Sequence, residues 1–154
     1  MAKRVFQIVM LSALLVFSTS SIYSQSKKVK KMTNKELVKT AMTAAFVNRD
    51  LSATDKYFGS PYIQHNPHIQ NGHDELKKII QALPATFQYE PGLVIEDGEF
   101  VMIHGRYIGW GPKPMLAMDV FRVKDGKLVE HWDVMQEEVT ADKAVNGNAM
   151  FPIK

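Results

Sequence analysis

The sequence predicts an α+β domain, because three helical stretches come first and four strand-like stretches follow. Up to Pro84, apolar residues recur at three- and four-residue spacing, which is the period of an amphipathic helix. From Thr86 onward the pattern changes to apolar, β-rich stretches separated by turn signals. Helices that precede a run of antiparallel strands are typical of the α+β class.

The helices are predicted from capping residues and apolar spacing. Thr33-Asn-Lys-Glu36 is a capping box, in which the Thr hydroxyl accepts a hydrogen bond from the Glu amide and the Glu side chain reaches back. Apolar residues then continue at helical spacing to about Asn48. Ser52-Ala-Thr-Asp55 repeats the capping pattern and starts a short second helix. A third helix is expected to start near Asn71-Gly72 and to stop at Pro84.

The strands are predicted from β-rich composition and from the turns between them. The segment 62–66 is expected to be extended, because its last residue precedes Pro67. Glu96-Asp-Gly98 and Lys124-Asp-Gly126 are hairpin turn signals, and 109–114 is a longer connection between the middle strands. The four predicted strands that follow the helices cover residues 87–95, 100–108, 115–123 and 128–135.

The register of the last hairpin decides which side chains meet. A two-residue turn at Asp125-Gly126 sets Lys124 opposite Lys127, which is a like-charge pair. A three-residue loop from Lys124 to Gly126 instead sets Asp119 opposite His131, and we favour this second register. It gives a face that combines apolar residues with two carboxylates and an imidazole, as in a pocket wall. The residues of this face are Ala117, Asp119, Phe121, Val129, His131, Asp133 and Met135.

The N-terminal residues predict export. Lys3 and Arg4 precede an apolar run that ends at Phe17 and is followed by small and polar residues, which is the order of a secretory signal peptide. The run is shorter than the roughly 20 residues of a comfortable membrane span. We expect residues 1–25 to be the signal, 26–32 a flexible basic arm and 33–154 a single domain. The mature protein would then be periplasmic or secreted, without a stable membrane span after signal removal; an uncleaved anchor is the alternative.

Composition and charge exclude several classes of function. The chain has no cysteine, which rules out disulfides, a thiolate nucleophile and cysteine-ligated zinc. The formal net charge of +3 depends on the leader and the arm. Without them, the body from Met32 onward keeps 13 of the 19 basic residues against all 16 acidic ones, a formal charge of −3. No basic face for nucleic acid is predicted.

Three motifs together resemble the SnoaL-like polyketide cyclase group of the nuclear transport factor 2-like superfamily. They are Tyr62-Ile-Gln-His-Asn-Pro67, Met118-Asp-Val-Phe-Arg122 and Glu130-His-Trp-Asp-Val134, placed after three helices. The resemblance covers about Lys35 to Glu138. It implies a cone-shaped barrel in which a strongly curved, mostly antiparallel sheet packs on the three N-terminal helices around an apolar cavity. A homodimer through the outer face of the sheet is also implied.

The resemblance further implies a cofactor-free reaction on a small apolar carbonyl compound. The reaction would be aldol condensation or cyclisation, isomerisation or dehydration, with an aspartate as acid or base. By motif this aspartate is Asp119 or Asp133, and the sequence leaves the choice open. A non-catalytic ligand-binding module of the same fold, or a dimeric interaction module that uses Trp132, is the alternative.

The candidate catalytic residues are Asp119, His131, Asp133 and His65. A carboxylate inside an apolar strand is costly unless it is used, and a neighbouring imidazole can exchange a proton with it. His65 lies on the segment that the resemblance places across the cavity mouth, where Asp133 can orient it. The competing interpretation is structural, with Asp119 holding His131 in place. No metal site is predicted, because the spacing of His65 and His68 points them to opposite faces.

Overall fold

The computed structural model describes residues 31–153, so the predicted signal peptide and most of the predicted arm lie outside the described residues. None of the helices in that range has the length and hydrophobicity of a membrane span. The helices are α1 Asn34–Met42, α2 Ser52–Tyr57 and α3 His73–Ala82. The strands are β1 Phe58–Gln64, β2 Gln88–Asp97, β3 Phe100–Ile108, β4 Met115–Lys124 and β5 Lys127–Glu137.

The first helix forms as its capping box predicts. The Thr33 hydroxyl accepts from the Glu36 amide at 3.1 Å, and the Glu36 carboxylate accepts from the Thr33 amide at 2.8 Å. After Met42 the helix widens into a π-helical turn, Thr43–Val47. The Asn48 amide closes that turn on the Thr43 carbonyl at 3.0 Å, which confirms the predicted end of the first helical stretch.

The second helix is capped two residues earlier than the sequence pattern predicts. Ser52 was expected to be the capping residue, but it is the first residue of α2. The Asp50 carboxylate instead accepts from the Ser52 amide at 2.9 Å and from its hydroxyl at 2.6 Å. An aspartate two residues before a free amide reaches it through an Asx turn, so it competes successfully with the Ser hydroxyl.

The five strands form one sheet in the order β1-β5-β4-β3-β2. All pairs are antiparallel except β1 with β5, which is parallel. The four predicted C-terminal strands are confirmed to within two residues at each end. The predicted α+β class is therefore confirmed. The sheet is open rather than closed, since β1 and β2 are its two edges among the described residues.

The core lies between the helices and one face of the sheet. On α1, Val38 and Ala41 are fully buried, and so are Val101 and Ile103 on β3. The Phe46 ring follows α1 and lies 6.1–6.4 Å from the rings of three aromatic residues on and before the sheet. Those residues are Phe87, Tyr89 and Tyr107. This aromatic group packs the end of the first helical stretch against β2 and β3.

The predicted register of the β4–β5 hairpin is wrong. The turn has two residues, Asp125 and Gly126, with φ values of 52° and 72°, and Lys124 is opposite Lys127. Two left-handed residues match the right-handed twist of the strands, which favours this turn over the longer loop. The Lys127 ammonium donates to the carbonyl oxygens of residues 55 and 56, and these bonds offset the cost of the like-charge pair.

A β-bulge in β5 then restores the predicted inward and outward orientation of its side chains. Val123 is opposite Leu128, but the next pair is Arg122 with Glu130, so Val129 is an extra residue. Beyond the bulge, Asp119 is opposite Asp133 rather than His131. The inward face was nevertheless predicted correctly except at one place, where Leu128, fully buried, takes the position expected for Val129.

Candidate acid–base site in the pocket

An apolar pocket is bordered by the helices and the inner face of the sheet. Its empty volume is about 470 Å³, part of which is open to solvent. Most of the lining is aliphatic or aromatic, with a few polar groups from four of the strands, as is typical of small-molecule sites. The lining residues are Met42, Phe46, Phe58, Tyr62, Gln64, Ile69, Leu76, Ile79, Tyr107, Trp110, Asp119, Phe121, His131, Asp133 and Met135.

Asp119 is the buried centre of the polar network. Only 3% of its surface is exposed, and both of its carboxylate oxygens have partners. The Tyr107 hydroxyl donates to Oδ2 at 2.7 Å, and His131 Nε2 lies 3.2 Å from Oδ1. Gly105 leaves room for this arrangement, because a Cβ there would come within 2.9 Å of the Tyr89 ring and 3.4 Å of Asp119 Oδ2.

Buried tyrosines surround Asp119 and stay protonated. Burial raises the pKa of Tyr107 well above its ordinary value, and the negative charge of Asp119 raises it further. The same two causes, burial first, raise the pKa of Tyr62 and that of Tyr89. The Tyr62 hydroxyl has no hydrogen-bond partner among residues 31–153. Tyr62 is therefore a neutral donor that remains available to a ligand in the pocket.

The parallel pairing of β1 with β5 supplies the next contacts. Gln64 and His131 are register partners, and His131 Nδ1 lies 2.8 Å from Gln64 Oε1. Two residues further on, the Asn66 amide nitrogen donates to both oxygens of Asp133, at 2.9 and 2.8 Å. Two of the three sequence motifs therefore interlock residue by residue along the pocket wall.

Asp133 lies where the pocket meets a wider outer vestibule. It is half-buried, and it lines both spaces. One of its carboxylate oxygens lies within 4.8 Å of atoms of Asp119 and His131, so Asp133 also borders the buried network. Four apolar side chains share the boundary with it, namely Ile69, Ile79, Trp110 and Met135.

The structure places His65 outside the pocket lining, unlike the other three predicted site residues. Its Nε2 lies 2.8 Å from a Glu130 oxygen, and its ring stacks on Trp132 at 4.5 Å between centroids. The side chain is 40% exposed. The expected contact of His65 with Asp133 is not formed, because successive residues of the extended chain that follows β1 point to opposite sides, and Asn66 takes that position.

Three of the predicted residues also have spacing that suits a cation. Each of the three offers one possible ligand atom, and these atoms lie within 4.8 Å of one another. They form the one group of metal-ligand spacing found among residues 31–153, namely Asp119, His131 and Asp133. The bonds from Tyr107 and Asn66 already use three of the four carboxylate oxygens as acceptors. The fourth oxygen, Asp119 Oδ1, lies 3.2 Å from His131 Nε2.

Sequence reasoning missed two residues that hold the site. The strand of Tyr107 is predicted, but the sequence does not show whether Ile103 and Tyr107 or their neighbours on the opposite face point to the interior. The conspicuous signal was the tyrosine itself, since a hydroxyl on a core-facing position needs a buried acceptor. Gln64 belongs to the first of the three motifs, but the sequence predicts no role for it, because its partner depends on the non-local pairing of β1 with β5.

Comparison with known proteins identifies the fold. A sequence model of the SnoaL-like domain matches residues 39–131, which is more than half of the chain. An NTF2-like protein of unknown function from Cytophaga hutchinsonii has a TM-score of 0.60 at 16% identity, over 70% of this chain and 94% of that one. No curated protein matches significantly.

Two further solved structures share this fold. A candidate polyketide cyclase from Bacillus cereus has a TM-score of 0.59 at 19% identity, over 68% of this chain and 75% of that one. A candidate ketosteroid isomerase from Kribbella flavida has a TM-score of 0.57 at 16% identity, over 71% and 84%. At such identities the likeness shows the fold alone.

Proposed function

Because the chain belongs to the SnoaL-like domain family, we propose that it binds a small apolar carbonyl compound and moves a proton at the carbon beside the carbonyl. The product would arise by aldol condensation or cyclisation, isomerisation or dehydration. One observation carries the proposal: the buried Asp119–His131 pair and Asp133 line a single apolar pocket. Two proton-carrying groups in different environments can serve as acid and base.

The proposed step starts with a carbonyl compound in the pocket. A carboxylate removes a proton from the carbon next to the carbonyl, and the C–H electron pair moves into an enolate. The Tyr62 hydroxyl, which has no partner among residues 31–153, can donate to the developing oxyanion. The enolate then takes a proton at another carbon, attacks a second carbonyl or expels a leaving group. General acid–base catalysis of this kind contributes about 10²–10⁴-fold in rate.

The pocket also orients the ligand. Its inner wall is apolar, and the outer vestibule carries polar and charged groups such as His68, Glu75 and Glu137. An apolar end of the ligand would therefore lie inside, and a polar end would lie in the vestibule. The reacting carbon would then be near Asp133, where the two spaces meet.

The proposal is tested by combining ligand detection with one substitution. Native mass spectrometry of protein purified from its own host is expected to show a co-purified small molecule with a carbonyl group. Asp119→Asn should retain that ligand and lose turnover, since an amide cannot carry the proton. Asp125→Asn, in the exposed hairpin turn, is the matched control and should keep both. Full turnover in Asp119→Asn would contradict the proposed chemistry.

We further propose that the protein is exported and acts as a homodimer. The outer face of the sheet supports the dimer, because it exposes apolar side chains at its centre, including Val134 at 76% and Met118 at 38%. Trp132 lies on the same face. Val134→Lys should give a monomer in native mass spectrometry, and a monomeric wild type would refute the dimer. N-terminal sequencing of the exported protein tests signal removal, which an intact Met1 would contradict.

A further inference from the structure

We propose that Gln64 is a positioning residue that keeps His131 in its Nδ1–H form, so that the Asp119–His131 pair carries one additional, shared proton. The inference rests on the hydrogen bonds around a single side-chain amide. It names the acid and the base of the site, which the sequence left open. The assignment of those two roles rests on the function proposed above, whereas the state of the imidazole does not.

The orientation of the Gln64 amide is fixed by the backbone. The Asn66 main-chain N–H donates to Gln64 Oε1 at 3.0 Å. A main-chain N–H can only donate, so the side-chain atom that faces it must be the oxygen. The reversed amide would set an NH₂ group against that N–H. Gln64 Oε1 is therefore an acceptor at this position, on chemical grounds and not by convention.

The same oxygen determines which nitrogen of His131 carries hydrogen. His131 Nδ1 lies 2.8 Å from Gln64 Oε1, so Nδ1 must be the donor. A neutral imidazole has only one N–H, which would leave Nε2 with a lone pair. Nε2, however, faces Asp119 Oδ1 at 3.2 Å. A neutral His131 beside an ionised Asp119 would therefore bring two acceptors together.

One additional proton removes this conflict. It can lie on Nε2, giving an imidazolium beside a carboxylate, or on Oδ1, giving an acid beside a neutral imidazole. The side chains of His131 and Asp119 are only 9% and 4% exposed, so water does not separate the two atoms. Tyr107 cannot supply the proton, because its hydroxyl hydrogen already binds the other oxygen of Asp119.

The shared proton assigns the roles within the site. The Asp119–His131 pair already carries a proton and is the donor. Both oxygens of Asp133 accept from the Asn66 amide nitrogen, which suits a carboxylate and makes Asp133 the base. The Phe121 ring stacks on the His131 ring at 4.6 Å and 25°, so the imidazole cannot turn easily to exchange its nitrogens.

The state of the imidazole can be measured without any substrate. In protein labelled with ¹⁵N-histidine, NMR should show His131 Nδ1 protonated at pH 8. Gln64→Met keeps the length of the side chain but removes the acceptor, so the proton should move to Nε2, where it can bind Asp119. Gln64→Glu keeps an oxygen at this place and should retain the Nδ1–H form. A wild-type His131 that carries hydrogen on Nε2 but not on Nδ1, or no change in Gln64→Met, would overturn the proposal.

The same variants separate this inference from the proposed function. If a carbonyl substrate is turned over, Gln64→Met should lower kcat at least tenfold with little change in KM, and Gln64→Glu should recover part of that loss. An Nδ1–H imidazole without turnover on any carbonyl compound would support the positioning role and refute the function. Turnover by a wild type whose His131 carries hydrogen on Nε2 but not on Nδ1 would support the function and refute the positioning role. Should Gln64→Met fail to fold, the wild-type spectrum decides alone.

Discussion

The two faces of the β1–β5 pair carry the same kinds of side chain in different surroundings. On the inner face, His131 contacts Asp119 with side chains 9% and 4% exposed. On the outer face, His65 contacts Glu130 with side chains 40% and 16% exposed. Water screens the outer pair, whereas burial strengthens electrostatic interactions of the inner one. A histidine–carboxylate pair is therefore better suited to acid–base chemistry where a pocket excludes water.

The second partners of each pair differ as well. In the pocket, Tyr107 and Gln64 add directional hydrogen bonds that fix where protons lie. Outside it, His65 stacks on Trp132 with its ring nearly parallel, at 4°, a contact that fixes the ring plane but no proton. The comparison teaches that the neighbours of such a pair, more than the pair itself, decide whether it can work as an acid or a base.

The largest contrast is expected in catalysis. Asp133→Asn should lower kcat by about 10²–10⁴-fold if Asp133 removes the substrate proton, because an amide cannot take one. Glu130→Gln on the outer face is the matched control and should leave kcat nearly unchanged. Both rates would be measured on one carbonyl substrate. An equal fall in kcat in the two variants would contradict the view that only the inner face takes part in catalysis.

The next contrast concerns stability at neutral pH. Tyr107→Phe removes the donor to Asp119 Oδ2 and leaves a buried oxygen without a partner. The free energy of unfolding should fall by about 1.5–3 kcal/mol, as for a hydrogen bond to a charged group. Urea unfolding followed by circular dichroism would measure it. Tyr57→Phe, on a half-exposed ring, should change little, and a loss as large as that of Tyr107→Phe would count against the buried network.

Alkaline pH should lower the free energy of unfolding through the buried tyrosines of the inner face. The pKa of Tyr62, Tyr89 and Tyr107 is raised in the folded protein by burial and by Asp119. The folded state therefore holds these protons more tightly than the unfolded chain, in which tyrosine titrates near about 10. The stabilisation is complete below pH ~10 and is lost above it, by about 1.4 kcal/mol per pH unit for each tyrosine. Tyr107→Phe should flatten the slope of stability against pH, and an unchanged slope would contradict its burial.

The smallest effect is expected on the outer face. His65→Ala removes an exposed pair with Glu130 and a stacked ring contact with Trp132. The free energy of unfolding should fall by about 1 kcal/mol or less, and kcat should stay the same. Thermal unfolding and the substrate assay together test this. A fall in kcat comparable with that of Asp133→Asn would bring His65 back into the site.

The fold was accessible from the sequence because its signals are local. The capping box at Thr33, the glycines of the two hairpin turns and the period of the apolar residues each act within a few positions. Three of the four predicted site residues line the pocket for the same reason, since their facing follows from strand alternation. The resemblance added the expectation of a cavity between sheet and helices.

What the sequence did not reveal depends on contacts between distant segments. The like-charge pair Lys124–Lys127 argued against the short turn, but Lys127 finds carbonyl partners on α2 that no local pattern indicates. The parallel pairing of β1 with β5 likewise decides that Gln64, and not His65, faces His131. Non-local pairing set the side of the sheet on which each residue of that motif lies.

Because of the bulge at Val129, some positions of β5 should tolerate the insertion or deletion of a residue better than others. Loss of Val129 would remove the extra residue and leave every pairing from Glu130 onward as it is. Loss of any one residue from His131 to Asp133 would move the side chains of all later residues of β5 to the opposite face and turn Val134 inward. Length differences in proteins that evolve from this one should therefore occur at the bulge. There the hairpin can change length while the side chains of His131 and Asp133 keep their positions.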